Sequence, residues 1–265
     1  MIFYLILIFS FIEYSTCQAY LLKNTSQILN INGFKNEVYD IVTEDGYILK
    51  FVHVITKNNT PLNQSIILIP GLICSSDQFV IGGENSPAFY FSNKGFDVWI
   101  INTRGSVYSL NHTDPKISYA KFWNFTFEQK ATIDLVASIN FVKQKMRVDK
   151  VFLGGHSEGG TIIITALIMI PKFIEENVIS VVSWGGATRF DHFSSSVLWL
   201  LNTFYVFDML DALGFGQTLT LSKILSILTS IAIEISPAIG EFMVGITCDG
   251  SKKGYTVDGL KGILI

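Results

Sequence analysis

The sequence is poor in charge, in cysteine and in clusters of basic residues, and each scarcity excludes a class of protein. Of its 265 residues 15% are charged and 49% are hydrophobic, which is too apolar for a disordered chain and enough for a large core. The formal net charge is −3 and no Lys/Arg stripe is present, so we expect no nucleic-acid partner. No His/Cys/Asp cluster has the spacing of metal ligands, and we expect neither a metal nor a cofactor.

The N-terminus has the pattern of a targeting segment. Residues 2–12 form an almost unbroken apolar run, and the small residues Ser15, Cys17 and Ala19 follow it. This pattern predicts a signal peptide over residues 1–19, cleaved after Cys17 or Ala19, and a secreted or lysosomal protein. Because no Lys or Arg precedes the run, an uncleaved membrane anchor is the alternative.

The remaining cysteines and the asparagine motifs agree with a secretory route. Without Cys17, only Cys74 and Cys248 remain, which permit one disulfide but do not indicate a disulfide scaffold. The chain is also rich in Asn, so some acceptor motifs arise by chance. Five N-x-[ST] motifs mark candidate glycosylation sites: Asn24, Asn58, Asn63, Asn111 and Asn124.

Short apolar runs alternate with helical patterns along the first 190 residues. Two β-rich runs, 37–42 and 48–55, are separated by Asp45-Gly46, a strong hairpin signal. Runs of the kind that form strands buried on both faces follow at 66–69, 98–101, 151–153 and 179–184. Between them lie two predicted helices, one with Leu135, Ile139, Val142 and Met146 on its apolar face and one over residues 161–170. The alternation predicts an α/β fold with a mostly parallel sheet and helices on both faces.

The pattern changes after about residue 190. Residues 197–213 and 223–235 read as amphipathic helices, and no buried-strand pattern follows them. Glu234, Pro237 and Glu241 argue against a transmembrane span. We therefore expect a core over residues 20–190 and a helical cap over 191–265. The apolar faces of the cap helices either contact lipid or pack on the core.

Gly155-His156-Ser157-Glu158-Gly159 matches the G-x-S-x-G pattern of a nucleophile elbow. The motif stands between a predicted buried strand and a predicted buried helix, which is where such an elbow occurs. This context predicts that Ser157 is a catalytic nucleophile and that the backbone N–H of Glu158 is an oxyanion donor. A second donor should come from the loop after an earlier strand, and the N–H of Leu72, after Pro70-Gly71, is our candidate. The alternative is a plain glycine-rich turn.

Four stretches together carry a resemblance to a known family. Residues 37–49 resemble the opening signature of the acid lipases, the gastric and lysosomal lipase family. Residues 95–105 and 122–128 resemble the next two signatures, and the elbow follows in the same order and spacing. The resemblance implies an α/β-hydrolase fold that hydrolyses neutral lipids, triacylglycerols or sterol esters, through a serine acyl-enzyme. It also implies a lipid-droplet or membrane surface as partner and a cap inserted after the sixth strand.

The chain departs from that family pattern at three places. Pro70 stands where the family usually has His, and Glu158 stands where it usually has Gln. The resemblance places the triad Asp and His beyond the cap, but this sequence has no His after His192. His192 comes too early for the catalytic base, and Asp191 would be an acid only in a variant that places it after the sixth strand.

These departures favour a chain that represents the hydrolase in part. We expect the last strands and both other triad residues to be missing, and the isolated 265-residue chain to be inactive. One alternative is an inactive, truncated relative that binds lipid without turnover. Another is a different hydrolase on the same fold, such as a thioesterase or a peptidase.

Overall fold

The computed structural model describes residues 23–55, 62–72, 74–83 and 86–188. The predicted signal peptide, the predicted cap, Asn58, Asp191 and His192 lie outside these residues. The described part is one seven-stranded sheet with helices on both faces.

The strands and helices alternate as the sequence predicts. The strands are β1 (Asn36–Val42), β2 (Tyr47–Val54), β3 (Ser65–Ile69), β4 (Asp97–Ile101), β5 (Asn111–His112), β6 (Val151–His156) and β7 (Val178–Trp184). The α-helices are α1 (Thr25–Ile31), α2 (Pro87–Asn93), α3 (Tyr119–Phe122), α4 (Phe127–Gln129), α5 (Leu135–Met146), α6 (Glu158–Met169) and α7 (Pro171–Asn177). A 3₁₀ helix covers Ser76–Phe79, and a π-helix covers Lys130–Asp134, between α4 and α5.

The sheet runs in the order β1-β2-β4-β3-β6-β7, with β5 paired to β2. The β1–β2 hairpin is antiparallel, and its turn contains Gly46 at φ +93°. The β2–β4 pair is antiparallel, whereas β4, β3, β6 and β7 pair in parallel. The predicted hairpin and mostly parallel sheet are therefore confirmed.

The core lies on both faces of the sheet because side chains alternate along each central strand. In β3, Ile67 and Ile69 face a cluster with α5 and α6, whereas Ile66 and Leu68 face a cluster with α1 and α2. All five residues of β3 are buried. The predicted apolar face of α5 is present too, since Leu135, Ile139 and Val142 are buried.

Several boundaries and one strand differ from the sequence expectation. Strand β6 extends to His156 and α6 begins at Glu158, so no loop separates strand, serine and helix. Helix α7 begins at Pro171, where proline suits the first helical turn because its missing N–H needs no partner there. The expectation that β7 is buried on both faces is wrong for the described residues: Ile179 is 49% and Val182 is 45% exposed. Among the described strands β7 pairs with β6 alone and forms an edge of the sheet.

Candidate active site

Ser157 occupies a sharp turn between β6 and α6. Its backbone has φ 52° and ψ −117°, a conformation that costs energy for a residue with a Cβ and that clusters at functional sites. The Ser157 N–H donates to the Trp184 carbonyl at 2.8 Å, and the Ser157 carbonyl accepts from the N–H of Thr161 at 3.1 Å. These bonds hold the strained turn between a parallel strand and the first turn of a helix.

Gly155 and Gly159 must be glycines because other backbone atoms occupy the space that a Cβ would need. A Cβ on Gly155 would collide with the backbone of Gly159 and Gly160. A Cβ on Gly159 would collide with the carbonyl groups of Ile69 and Pro70. The helix start thus packs directly on the loop that follows β3.

The loop after β3 lies against Ser157. A Cβ built on Gly71 would be 3.2 Å from Ser157 Cβ and 3.3 Å from His156 Nδ1. The Gly71 N–H already donates to Gln78 Oε1 at 3.0 Å, so Leu72 offers the next N–H along this loop. The Leu72 side chain is 61% exposed beside the elbow. The structure therefore brings Ser157, the helix start at Glu158 and the Leu72 loop together.

Gln78, which the sequence reasoning missed, bridges this loop and the elbow. Its Oε1 accepts from Gly71, so its Nε2 is left to donate to His156 Nδ1, 2.5 Å away. An amide N–H₂ only donates, and Nδ1 must therefore be unprotonated. Burial lowers the pKa of His156, in agreement with this role. No local motif marks Gln78, since its partners lie 7 and 78 residues away in the chain.

The carboxylate of Glu158 is paired with a lysine. Lys130 Nζ donates to Glu158 Oε1 at 2.9 Å and to Oε2 at 3.0 Å. The two side chains are only 11% and 17% exposed. Lys130 is the second residue that the sequence reasoning missed, because it contacts the elbow from the π-helix.

The π-helix is anchored at its other end by a buried ion pair. Asp134 is fully buried and accepts from Arg104 Nε at 2.8 Å and from the Arg104 N–H at 2.9 Å. The Arg104 guanidinium also bonds Asp45 in the hairpin turn, at 2.6 and 3.0 Å, and lies over the Tyr47 ring. Burial alone would lower the pKa of Arg104, but the two carboxylates raise it, so the guanidinium remains charged.

The three described histidines are each held by groups other than the Ser157 hydroxyl. His53 stacks on Trp99 with ring centroids 4.1 Å apart, and its Nε2 lies 3.4 Å from Asp97 Oδ1. His112 Nε2 contacts the Asp45 carbonyl at 2.9 Å. His156 bonds Gln78. The described residues thus supply a candidate nucleophile and two candidate oxyanion donors, and none of these three histidines bonds the Ser157 hydroxyl.

The four candidate glycosylation sites within the described ranges have exposed side chains: Asn24, Asn63, Asn111 and Asn124. Asn24 is also the N-cap of α1, and its Oδ1 accepts from the Gln27 N–H at 3.0 Å. Within the same ranges, no three His, Cys, Asp or Glu side chains come together as metal ligands. Nor does any helix there have the length and apolar character to cross a bilayer.

The strand order, the elbow and the loop beside it define a class of protein. A family model described as alpha/beta hydrolase fold matches residues 64–220, and the chain belongs to that family. A second model, described as a partial alpha/beta-hydrolase lipase region, matches residues 25–83. The predicted fold class is therefore confirmed.

The curated relatives narrow the resemblance to lipases. The chain is 39% identical over 158 residues to Lipase member J of Homo sapiens, covering 57% of this chain and 43% of the relative. It is 37% identical over 154 residues to Lysosomal acid lipase/cholesteryl ester hydrolase of Homo sapiens (56% and 39% covered). It is 36% identical over 144 residues to Gastric triacylglycerol lipase of Rattus norvegicus (52% and 36%). The resemblance to the acid lipases is confirmed, and the matched part spans about two-fifths of each relative's length.

Solved structures give a more distant comparison. An esterase from Pyrococcus furiosus has a TM-score of 0.49 at 16% identity, covering 71% of this chain and 65% of the esterase. A membrane phospholipase A has a TM-score of 0.46 at 15% identity, with 76% and 56% covered.

Proposed function

We propose that the chain carries the nucleophile half of a lipase that hydrolyses neutral lipid esters, triacylglycerols or sterol esters. The observation that carries the proposal is the strained Ser157 turn, with the N–H of Glu158 at the start of α6 and the Leu72 loop beside it. Two relatives are named as a cholesteryl ester hydrolase and a triacylglycerol lipase, and these names support neutral lipid esters as the substrate class.

In the proposed reaction Ser157 Oγ attacks the ester carbonyl carbon. A new O–C bond forms, the carbonyl π electrons move to its oxygen, and the serine proton passes to a base. The N–H groups of Glu158 and Leu72 donate to the resulting oxyanion, helped by the positive end of the helix dipole. The C–O bond to the alcohol then breaks, the alcohol takes the proton, and water later releases the fatty acid by the same steps.

The base and the acid of the triad lie outside the described residues in this proposal. The described histidines contact groups other than the Ser157 hydroxyl. This observation favours the alternative function, which is lipid binding without turnover. Without a base, a serine hydrolase keeps only residual catalysis from its oxyanion hole and from substrate binding. We therefore expect the 265-residue chain alone to hydrolyse esters negligibly.

The experiment compares the 265-residue chain with a version extended by the C-terminal segment of a curated relative, which supplies an Asp and a His. Purified proteins are assayed on triolein and cholesteryl oleate emulsions, and Ser157 is labelled with a fluorophosphonate. We expect turnover by the extended chain alone and its loss by about 10⁴-fold or more in the Ser157→Ala variant. Robust turnover by the 265-residue chain, abolished by Ser157→Ala, would instead place a base within it, and His192 would be tested first. An extended chain that binds the emulsions without turnover would support the lipid-binding alternative.

We further propose that the amphipathic cap segments contact the lipid surface and that the protein is secreted or lysosomal. The apolar positions Ile227 and Ile231 lie on one side of the second cap helix in the sequence pattern. Changing both to Glu should weaken flotation with lipid emulsions. Unchanged flotation of a folded variant would show that these faces pack on the core.

A further inference from the structure

Glu158 places a negative charge beside the oxyanion site. Its N–H is the proposed donor, and its own carboxylate belongs to the residue that follows the nucleophile directly. A negative charge near a developing oxyanion opposes the formation of that oxyanion. Burial, and after it the carboxylate of Glu158, raises the pKa of the neighbouring Cys74 thiol to about 11.

Lys130 is placed to cancel that charge. Its ammonium donates to both carboxylate oxygens of Glu158, at 2.9 and 3.0 Å, while its side chain is 11% exposed. The centroid of the Phe125 ring lies 5.7 Å from Nζ. Together these contacts point the lysine charge at one carboxylate.

The π-helix provides the geometry for this contact. A π-turn holds one residue more than an α-turn, and such turns occur mostly as single-turn bulges, frequently at functional sites. Here the turn begins at Lys130, which bonds the elbow, and ends at Asp134, which bonds the buried Arg104. One short segment therefore holds both the lysine that bonds Glu158 and the aspartate that bonds the buried Arg104.

We propose that Lys130 is a positioning residue for the ester hydrolysis of the proposed function: by neutralising Glu158, it leaves the N–H of that residue free to stabilise the oxyanion. The inference rests on the proposed function. It explains how a glutamate is tolerated directly after the nucleophile.

The test measures the rate at which a fluorophosphonate labels Ser157 in the extended chain. In this reaction the Ser157 oxygen bonds phosphorus, the serine proton passes to the base and fluoride leaves, while the phosphoryl oxygen occupies the oxyanion site. We expect Lys130→Met to slow labelling by about 10- to 100-fold, because it leaves the Glu158 charge unpaired. Lys130→Arg, which keeps the charge, should stay within about fivefold of the unmutated protein. Lys121→Met, an exposed lysine on α3, is the matched control and should leave the rate unchanged.

The double variant separates charge from packing. Glu158→Gln removes the carboxylate, so Lys130→Met/Glu158→Gln should recover the unmutated labelling rate within about threefold. A lysine that only supports the fold would show no such rescue, because the second substitution restores no packing. Equal rates in the single and double Lys130→Met variants, with all proteins folded by circular dichroism, would overturn the proposal.

If Ser157 of the unmutated protein is not labelled, the proposed function is refuted. A second measurement then tests the role of Lys130 separately. Inorganic phosphate is titrated into the ¹⁵N-labelled 265-residue chain, and the chemical shift of the Glu158 N–H is followed. We expect Lys130→Met to weaken phosphate binding by about tenfold and the double variant to restore it. Equal affinity in the unmutated, single and double variants would overturn the role of Lys130.

Discussion

The tight turn at Ser157 depends on glycine at position 159. The glycine has no Cβ, and the carbonyl groups of Ile69 and Pro70 occupy the space where one would stand. Helix α6 can therefore start directly on the loop after β3, next to Ser157. Any side chain here would push the helix start, and with it the N–H of Glu158, away from Ser157.

We predict that Gly159→Ala lowers the free energy of unfolding by about 3 kcal/mol and slows Ser157 labelling, because backbone atoms cannot move aside as a flexible side chain can. Gly83→Ala is the matched control. A Cβ at Gly83 meets open space, but φ is +66°, so this substitution costs only conformational strain, about 1 kcal/mol. Urea unfolding of both variants checks the prediction. Equal losses would mean that the elbow has room for a side chain.

The π-helix links the candidate site at Glu158 to a buried ion pair. Asp134 at its end is 0% exposed and Arg104 is 1% exposed, so this ion pair is withdrawn from water. Removing one partner of such a pair leaves the other buried and unpaired, which costs more than the pair contributes. Asp45 supplies a second carboxylate to Arg104 and ties the hairpin turn to the same group.

We predict that Asp134→Asn destabilises the protein by about 3 to 5 kcal/mol, whereas Asp40→Asn costs less than about 1 kcal/mol. The two substitutions are chemically identical. Asp40 pairs with Lys50 at 2.6 Å on the surface, where the side chains are 58% and 35% exposed and water screens the charges. Chemical denaturation measures both losses. A small loss for Asp134→Asn would show that Asp45 alone satisfies Arg104.

At the scale of the whole molecule, entry into the secretory pathway can be tested without measuring ester hydrolysis. We predict that the secreted protein begins at Gln18 or Tyr20, because the small residues after the apolar run suit signal peptidase. We also expect a mass decrease on glycosidase treatment, since four of the five acceptor asparagines lie exposed on the described surface.

The matched control for this prediction is Ile6→Asp, which places a charge in the middle of the apolar run. It should block secretion and glycosylation together. N-terminal sequencing and glycosidase digestion are the two measurements. A cytosolic protein that retains Met1 would contradict the prediction, and a membrane-bound protein that retains residues 1–19 would support the uncleaved anchor.

The sequence by itself determined the parts of the protein that follow from local periodicity and turn chemistry. The β1–β2 hairpin with its Asp45-Gly46 turn, the buried strands β3 and β4, the apolar face of α5 and the turn at Ser157 could all be predicted. Each depends on side chains within a few residues of one another, which a strand period of two or a helix period of 3.6 makes visible.

Only the tertiary structure decided how the site is completed around the serine. Lys130 reaches Glu158 across 28 residues, Arg104 reaches Asp134 across 30, and Gln78 reaches His156 across 78. No local pattern encodes these contacts, because each depends on where the sheet order places a distant loop. The exposure of β7 has the same origin: its apolar run predicts a strand, but whether such a strand is covered depends on the elements packed beside it.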